Sequence, residues 1–332
     1  MIVDAHTDVL LELVVRGEGQ PQFELVLRPG PDGVFEQYWL PRLEAGKVAV
    51  QICPLYGEGA RRRDPRERAL DQVDEFARLI AEHVDRVCQV SVKDDLDDER
   101  LRLVLAMEGA EPLEGEPGAF EEWYGRGVRS MSLTWNHGNE FAGGIDSPNQ
   151  GLTGKGRMLV RRLHEIGVLL DLAHASEQTW RDVFVEEVPF SVTHAGCRAI
   201  CDHPRNLADW QLEALAERGG VVGMMALPFV IDRDAPSLSR WLDHFDHAVD
   251  VMGIDHVGLG ADFVDQLSPP EPLPGCDGAA SEKALLALHD LTGPEHYPRL
   301  VAALRERSYE GKRLDAITSG NWHRILRGTL PA

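Results

Sequence analysis

The chain has 332 residues and a formal net charge of −21, from 34 basic and 55 acidic side chains. A balance this acidic repels nucleic acid and anionic lipid surfaces, so neither is expected as a partner. No segment approaches the roughly 20 uninterrupted apolar residues that a membrane-spanning helix needs. Hydrophobic residues make up 43% of the chain, which is ordinary for a globular protein.

Eight short apolar runs bounded by turn or polar residues predict β-strands. They lie near residues 1–6, 47–54, 102–108, 128–134, 168–174, 188–194, 220–226 and 256–262. Helical patterns lie between them, at 64–88, 156–165, 177–185, 208–218 and 237–252. Strand and helix therefore alternate in the order of a (β/α)₈ TIM-type barrel. We predict one barrel domain over residues 1–332, with a C-terminal helical extension over about 283–332.

Three stretches rich in Gly, Pro or Asn interrupt this alternation, at 17–40, 136–156 and 265–281. They follow the first, fourth and eighth predicted strands. The C-terminal ends of barrel strands meet on one rim, where substrate-binding loops are found. We expect all three stretches to be long loops over that rim.

Five of the eight apolar runs end in, or lead directly into, residues that can bind a transition metal. These residues are His6 with Asp8, Glu108, His174, His194 and Asp262. An isolated His-x-Asp is more often a polar turn, but His174 and His194 each close a strongly apolar strand. An unpartnered imidazole in such a place carries a desolvation penalty. The set therefore indicates a metal-dependent hydrolase barrel with its site on the C-terminal rim.

Three imidazoles and two carboxylates are enough ligands for two borderline metal ions that share Glu108 and a hydroxide. Zinc is the default choice. Two such ions generate hydroxide near neutral pH and polarise a carbonyl, which is hydrolytic chemistry. Asp262 is the candidate proton shuttle, with a helix cap at the end of its strand as the alternative role.

The chain resembles the membrane (renal) dipeptidase family, peptidase family M19, and looks like a bacterial-type member. The resemblance runs nearly end to end and rests on Asp4-Ala5-His6-Thr7-Asp8, Met107-Glu108-Gly109, Ser132-Leu133-Thr134-Trp135-Asn136, Asp171-Leu172-Ala173-His174, Thr193-His194, Arg205-Asn206, Gly260-Ala261-Asp262-Phe263 and Gly320-Asn321-Trp322. It implies two zinc ions per chain, one held by His6, Asp8 and Glu108 and the other by Glu108, His174 and His194. It also implies that Asp262 is the acid/base residue and that Arg205 holds the carboxylate of the substrate.

One position departs from the family pattern. Trp135 stands where mammalian members carry a histidine that contacts the reacting carbonyl. Tryptophan cannot stabilise an oxyanion as imidazole does, so either Asn136 or His137 replaces that histidine or the metals do most of the work. We therefore place Trp135, Asn136 and His137 in the predicted substrate site.

The five cysteines are odd in number and lack paired spacing, which is typical of a reducing compartment. The N-terminus enters strand and motif at once, without the segments of a secretion signal. We therefore expect a cytoplasmic protein.

The leading functional prediction is a zinc-dependent dipeptidase that uses a metal-bridging hydroxide. The sequence leaves open whether its substrates carry a D-residue at the C-terminal position. Its expected partner is a small dipeptide, and a homodimer is left open. One alternative is a hydrolase of another small amide, such as an N-acyl amino acid or a β-lactam. A non-catalytic ligand-binding barrel is the alternative from a different class, and the intact ligand set argues against it.

Overall fold

A computed structural model of the chain describes residues 1–10, 24–25, 35–56, 64–264, 267–268 and 287–332. In chain order its strands are β1 (Ile2–Asp4), β2 (Glu24–Leu25), β3 (Val48–Tyr56), β4 (Val87–Gln89), β5 (Leu101–Glu108), β6 (Val128–Ser132), β7 (Leu169–Asp171), β8 (Val192–Ala195), β9 (Val222–Met224), β10 (Val257–Leu259) and β11 (Leu267–Ser268). Each of the eight predicted strands overlaps one of these.

Eight of the strands form a closed parallel barrel. They pair in the order β7-β6-β5-β3-β1-β10-β9-β8, and β4 pairs with the first three residues of β5, ahead of the residues that pair with β6. The two ends of this order meet through a parallel bridge between Asp171 and Ser191. There the Ser191 N–H donates to Leu170 O and the Leu172 N–H donates to Ser191 O, both at 2.9 Å. The predicted (β/α)₈ barrel is therefore confirmed.

The described helices are α1 (Leu40–Ala45), α2 (Pro65–Glu82), α3 (Phe120–Gly125), α4 (Gly154–Glu165), α5 (Glu177–Val185), α6 (Asp209–Glu217), α7 (Pro228–Ile231), α8 (Leu238–Met252), α9 (Tyr297–Glu306), α10 (Lys312–Asp315) and α11 (Asn321–Thr329). Several begin at the polar residue that the sequence supplies as a cap. The Ser176 hydroxyl accepts from Thr179 N–H at 3.0 Å to start α5, and the Ser237 hydroxyl accepts from Arg240 N–H at 3.2 Å to start α8.

One predicted helix was too long. The helix predicted over 64–88 ends at Glu82, and its last residues instead belong to β4. His83 leaves the helical conformation, with φ −118° and ψ 28°. The chain can then pair Val87 with Leu101 of β5, and this apolar, β-branched segment is buried against the sheet. The gain from tertiary pairing thus overrides the helical periodicity.

The inside of the barrel is apolar and is closed at one end by α11. Val3, Val50 and Val104 from three strands form one cluster with Trp322 and Leu326 of α11. The Asn321 amide donates to Val257 O, at the first residue of β10, at 2.8 Å. Because α11 covers the N-terminal ends of the strands, a pocket in this barrel must open at the opposite rim.

The loop predicted over 136–156 is present up to the start of α4. Most of 17–40 and 265–281 lies outside the described residues; within 17–40, a π-helical turn covers Phe35–Trp39 before α1. None of the described helices has both the length and the apolar character that crossing a bilayer requires. The division into a 1–332 domain with a C-terminal extension stays a prediction.

Candidate active site

The six residues singled out as metal ligands or proton shuttle meet at the C-terminal rim. His6 and Asp8 follow β1, Glu108 is the last residue of β5, His194 lies in β8, and His174 and Asp262 come three residues after β7 and β10. Parallel strands explain the convergence, because all of these ends point the same way. Five of the side chains are buried, and Asp8 is nearly so.

Glu108 lies at the centre of the cluster. Its Oε1 atom is 3.1 Å from His174 Nε2, 3.6 Å from His194 Nε2 and 3.7 Å from His6 Nε2. On the other side of the cluster, His6 Nε2 lies 4.0 Å from Asp8 Oδ1 and 3.9 Å from Asp262 Oδ1. The ligand atoms of His6, Glu108 and His194 lie within 4.8 Å of one another, and so do those of His6, Asp8 and Asp262.

The donor chemistry of this cluster fits divalent metal ions. His174 Nε2 and His194 Nε2 are only 3.0 Å apart. The Asn136 carboxamide oxygen lies 2.8 Å from His174 Nδ1 and accepts its proton. The Nε2 atom of His174 is then unprotonated, and its lone pair faces Glu108. Asp8 Oδ1 is buried without a hydrogen-bond partner among the described residues. Converging buried acceptor atoms of this kind carry a desolvation penalty that a bound cation would offset.

Burial lowers the pKa values of the three imidazoles, as metal binding requires, and raises those of the carboxyl groups. Burial, with the charge of Arg205, lowers the pKa of His6 to about 3, and burial also lowers the pKa values of His174 and His194. All three imidazoles are therefore neutral and able to bind a metal. Burial raises the pKa of Asp8 to about 7. Burial and the neighbouring Asp8 and Asp262 raise the pKa of Glu108 as well, and a cation would reverse both carboxyl shifts.

Two of these residues have a backbone conformation that is rare outside glycine. His174 has φ +63° and Asp262 has φ +57°. Neighbouring strands and loops hold both, because the Asp262 N–H donates to His6 O at 3.0 Å and the Ile145 N–H donates to His174 O at 2.9 Å. Left-handed backbone at such residues is typical of functional sites, where the surrounding structure offsets the strain.

The predicted substrate residues occupy different surroundings. Arg205 is buried; its guanidinium donates to His194 O at 3.3 Å, and it lines the same cavity of about 580 Å³ as His174. The Trp135 ring packs against His174, with centroids 5.7 Å apart. His137 is 67% exposed, and its Nδ1 lies 3.1 Å from an Asp146 carboxylate oxygen.

Sequence reasoning missed the roles of two further buried residues. Asp171 and Thr193 appeared only as letters of motifs, without a function of their own. In the structure the Thr193 hydroxyl lies 2.5 Å from Asp171 Oδ2 and 2.9 Å from His194 Nδ1. The sequence did contain a sign of this role, because Asp171 is a carboxylate inside the apolar run 168–173. An ionisable side chain in such a buried place needs a partner.

A parallel barrel with a histidine and carboxylate cluster on its C-terminal rim is typical of metal-dependent hydrolases. The family described as Membrane dipeptidase (Peptidase family M19) matches residues 1–275, so the chain belongs to this family of metallo-dipeptidases, hydrolases that act on dipeptides.

Two relatives are similar to the chain over most of its length. The chain is 31% identical over 282 residues to an uncharacterized protein in the pqqA 5′ region of Klebsiella pneumoniae, covering 80% of this chain and 97% of that protein. It is 29% identical over 318 residues to the dipeptidase aclJ of Aspergillus oryzae, covering 89% of this chain and 70% of that protein.

Solved structures share the fold. A family M19 metallo peptidase described as dipeptidase AC superposes with a TM-score of 0.83 at 24% identity, covering 100% of this chain and 99% of that chain. A metallo peptidase from Rhodobacter sphaeroides, liganded with a phosphinate mimic of the dipeptide L-Ala-D-Ala, gives a TM-score of 0.83 at 23% identity, covering 99% of each chain.

Proposed function

We propose that this enzyme cleaves dipeptides that have a free C-terminal carboxylate and a D-residue at that end, with two zinc ions that share Glu108. The observation that carries the proposal is the position of Glu108 Oε1, between 3.1 and 3.7 Å from the Nε2 atoms of three imidazoles. A carboxylate so placed can serve two ions at once.

His6, Asp8 and Glu108 would hold one ion, and Glu108, His174 and His194 would hold the other. Zinc bound there supplies Lewis acidity, which lowers the pKa of water and polarises a carbonyl. The barrel prepares the ligands for the metal. Its buried rim keeps the imidazoles neutral and turns their Nε2 atoms towards Glu108.

Asp262 is suited to move a proton between the attacking water and the leaving amine. Its Oδ1 atom lies 3.9 Å from His6 Nε2, on the side of the cluster where Asp8 lies. Burial and the charge of Asp8 raise the pKa of Asp262. A carboxyl group whose pKa is raised accepts a proton more readily than an ordinary carboxylate does. The backbone hydrogen bond from Asp262 N–H to His6 O holds it in place for this role.

Arg205 would bind the carboxylate of the substrate. The cavity of about 580 Å³ is lined by both Arg205 and His174, so a ligand in it can reach the guanidinium and this one member of the cluster together. A buried guanidinium makes strong, directed hydrogen bonds to a carboxylate. This contact would orient the scissile bond towards the cluster and would exclude peptides with a blocked C-terminus.

The D-configuration is supported by the L-Ala-D-Ala mimic bound to the Rhodobacter sphaeroides protein that shares this fold. We also propose a cytoplasmic location, because Cys53, Cys88, Cys197 and Cys201 are buried, free thiols.

A defined peptide panel tests the proposal on zinc-loaded protein. L-Ala-D-Ala, L-Ala-L-Ala, the C-terminal amide of L-Ala-D-Ala and an N-acetyl amino acid would be compared by kcat/KM. We expect L-Ala-D-Ala to be the best substrate and the amide to be poor. Faster hydrolysis of the N-acetyl amino acid would favour a different amide hydrolase, and tight binding without turnover of any peptide would favour a ligand-binding barrel.

A further inference from the structure

A buried chain of three polar side chains leads from β7 to the metal cluster. Asp171 Oδ2 lies 2.5 Å from the Thr193 hydroxyl oxygen, and this oxygen lies 2.9 Å from His194 Nδ1. All three side chains are buried. We name this chain the Asp171–Thr193–His194 relay.

The hydrogen bonds that Asp171 accepts indicate which atoms of the relay are donors and which are acceptors. Asp171 Oδ1 already accepts from the backbone N–H groups of Ala173, at 2.9 Å, and Thr193, at 3.0 Å, so the carboxylate acts as an acceptor. The single hydroxyl proton of Thr193 is then donated to Asp171 Oδ2. A lone pair of the hydroxyl oxygen remains, and it accepts the Nδ1 proton of His194.

With its proton on Nδ1, His194 presents an unprotonated Nε2. That atom lies 3.6 Å from Glu108 Oε1 and 3.0 Å from His174 Nε2. Metal-binding histidines usually donate their other ring N–H to a carboxylate, a carbonyl or water, and this bond fixes the tautomer and the orientation of the ring. Here a hydroxyl stands between the carboxylate and the ring.

The relay also joins β7 to β8, the two strands whose pairing closes the barrel. β7 and β8 meet through the Asp171 and Ser191 bridge, and Asp171 adds two hydrogen bonds to Thr193, one to its N–H and one to its hydroxyl. The ring of His194 is therefore oriented by the same side chain that joins the two strands.

We propose that Asp171 and Thr193 are positioning residues that hold His194 in its metal-binding tautomer through the Thr193 hydroxyl. The proposal rests on the proposed role of His194 as a metal ligand. Neither residue would touch the substrate. Their removal should act on metal affinity before it acts on substrate binding.

Two substitutions at Thr193 provide a matched test in the full chain. Thr193→Val keeps the branched shape and removes the hydroxyl, whereas Thr193→Ser keeps the hydroxyl. Zinc affinity would be measured by competition with a chromophoric chelator, and the visible spectrum of the cobalt-loaded protein would report the ligand geometry. We expect about 10- to 100-fold weaker binding of one ion in Thr193→Val, the usual effect of losing such a partner, with a changed cobalt spectrum. Thr193→Ser should stay close to wild type.

Two further variants separate the relay from a general loss of stability. Thr318→Val removes another buried hydroxyl, which donates to Leu314 O at 2.9 Å, and it should leave zinc affinity unchanged. Asp171→Asn should weaken zinc binding, and the Asp171→Asn, Thr193→Val double variant should be no weaker than the worse single variant, because both changes break one relay.

The proposal is overturned if Thr193→Val binds zinc like the wild type, if Thr193→Ser is as weak as Thr193→Val, or if the Asp171 and Thr193 effects add fully. His194→Ala distinguishes this failure from failure of the proposed function. If His194→Ala loses one ion while Thr193→Val binds normally, only the relay is wrong. If His194→Ala still binds two ions, the proposed ligand set is wrong.

Discussion

Replacing the shared carboxylate should affect both metal sites, whereas replacing an outer carboxylate should affect one. Glu108→Gln keeps the shape of the side chain and removes the charge that lies within 3.7 Å of three imidazole Nε2 atoms. Asp8→Asn is the matched control, because Asp8 Oδ1 approaches His6 Nε2, at 4.0 Å, on one side of the cluster.

The expected loss of zinc affinity depends on how many metal sites the replaced carboxylate serves. Loss of a residue that merely supports a metal ligand weakens binding by roughly 10- to 100-fold. Loss of a charged ligand should therefore weaken each site it serves by at least about 100-fold, which is about 2.8 kcal/mol per site. We expect this loss at both sites in Glu108→Gln and at one site in Asp8→Asn.

The assay is zinc content by elemental analysis after equilibration at defined free zinc, together with kcat/KM for a dipeptide. Protein stability is followed separately by the melting temperature of the chelator-treated variants. Burial and the charges of Asp8 and Asp262 raise the pKa of Glu108, so its ionised form opposes folding above its ordinary pKa of about 4.3. The metal-free Glu108→Gln protein should therefore be at least as stable at pH 7 as the wild type.

Two results would refute this reasoning. If Glu108→Gln loses one ion and keeps the second with normal affinity, Glu108 is not shared. If Glu108→Gln lowers the melting temperature of the metal-free protein, its role is structural and the metal loss is indirect.

Three further variants test the other proposed roles. Arg205→Ala should raise KM for dipeptides by about 10- to 150-fold, the effect of losing a charged hydrogen bond of 1.5–3 kcal/mol. If steady-state kinetics give an unchanged KM, another group binds the carboxylate of the substrate. Asp262→Asn should lower kcat by 10²- to 10⁴-fold with both ions retained by elemental analysis, and metal loss instead would make Asp262 a ligand. His137→Ala should change kcat little, because this side chain is 67% exposed and paired with Asp146; a loss near 100-fold, the scale of an oxyanion donor, would contradict that expectation.

The architecture and the members of the cluster could be predicted from the sequence alone. Each apolar run is a local pattern, and eight of them alternating with helices favour one closed parallel arrangement. A residue at the C-terminal end of such a strand reaches the rim whatever its neighbours are. Glu108 at the end of β5 and His194 in β8 could therefore be assigned to one site without knowledge of any contact.

The contacts within the site were decided by the tertiary structure. Asp171 and Thr193 lie on different strands, and their hydrogen bond exists only because β7 and β8 meet where the barrel closes. The conformation of Asp262, with φ +57°, is held in the same way by a hydrogen bond to the carbonyl oxygen of His6, in the segment that follows β1. The end of α2 at Glu82 follows the same rule, because β4 forms only when β5 offers it an edge.

The reason is physical. Periodicity records which face of a segment is buried, and burial is set by apolar residues close in sequence. The direction of a polar side chain is set by its hydrogen-bond partners, which in this barrel come from strands far apart in the chain. The sequence by itself therefore determined which residues reach the rim, and only the folded barrel decided what each of them contacts.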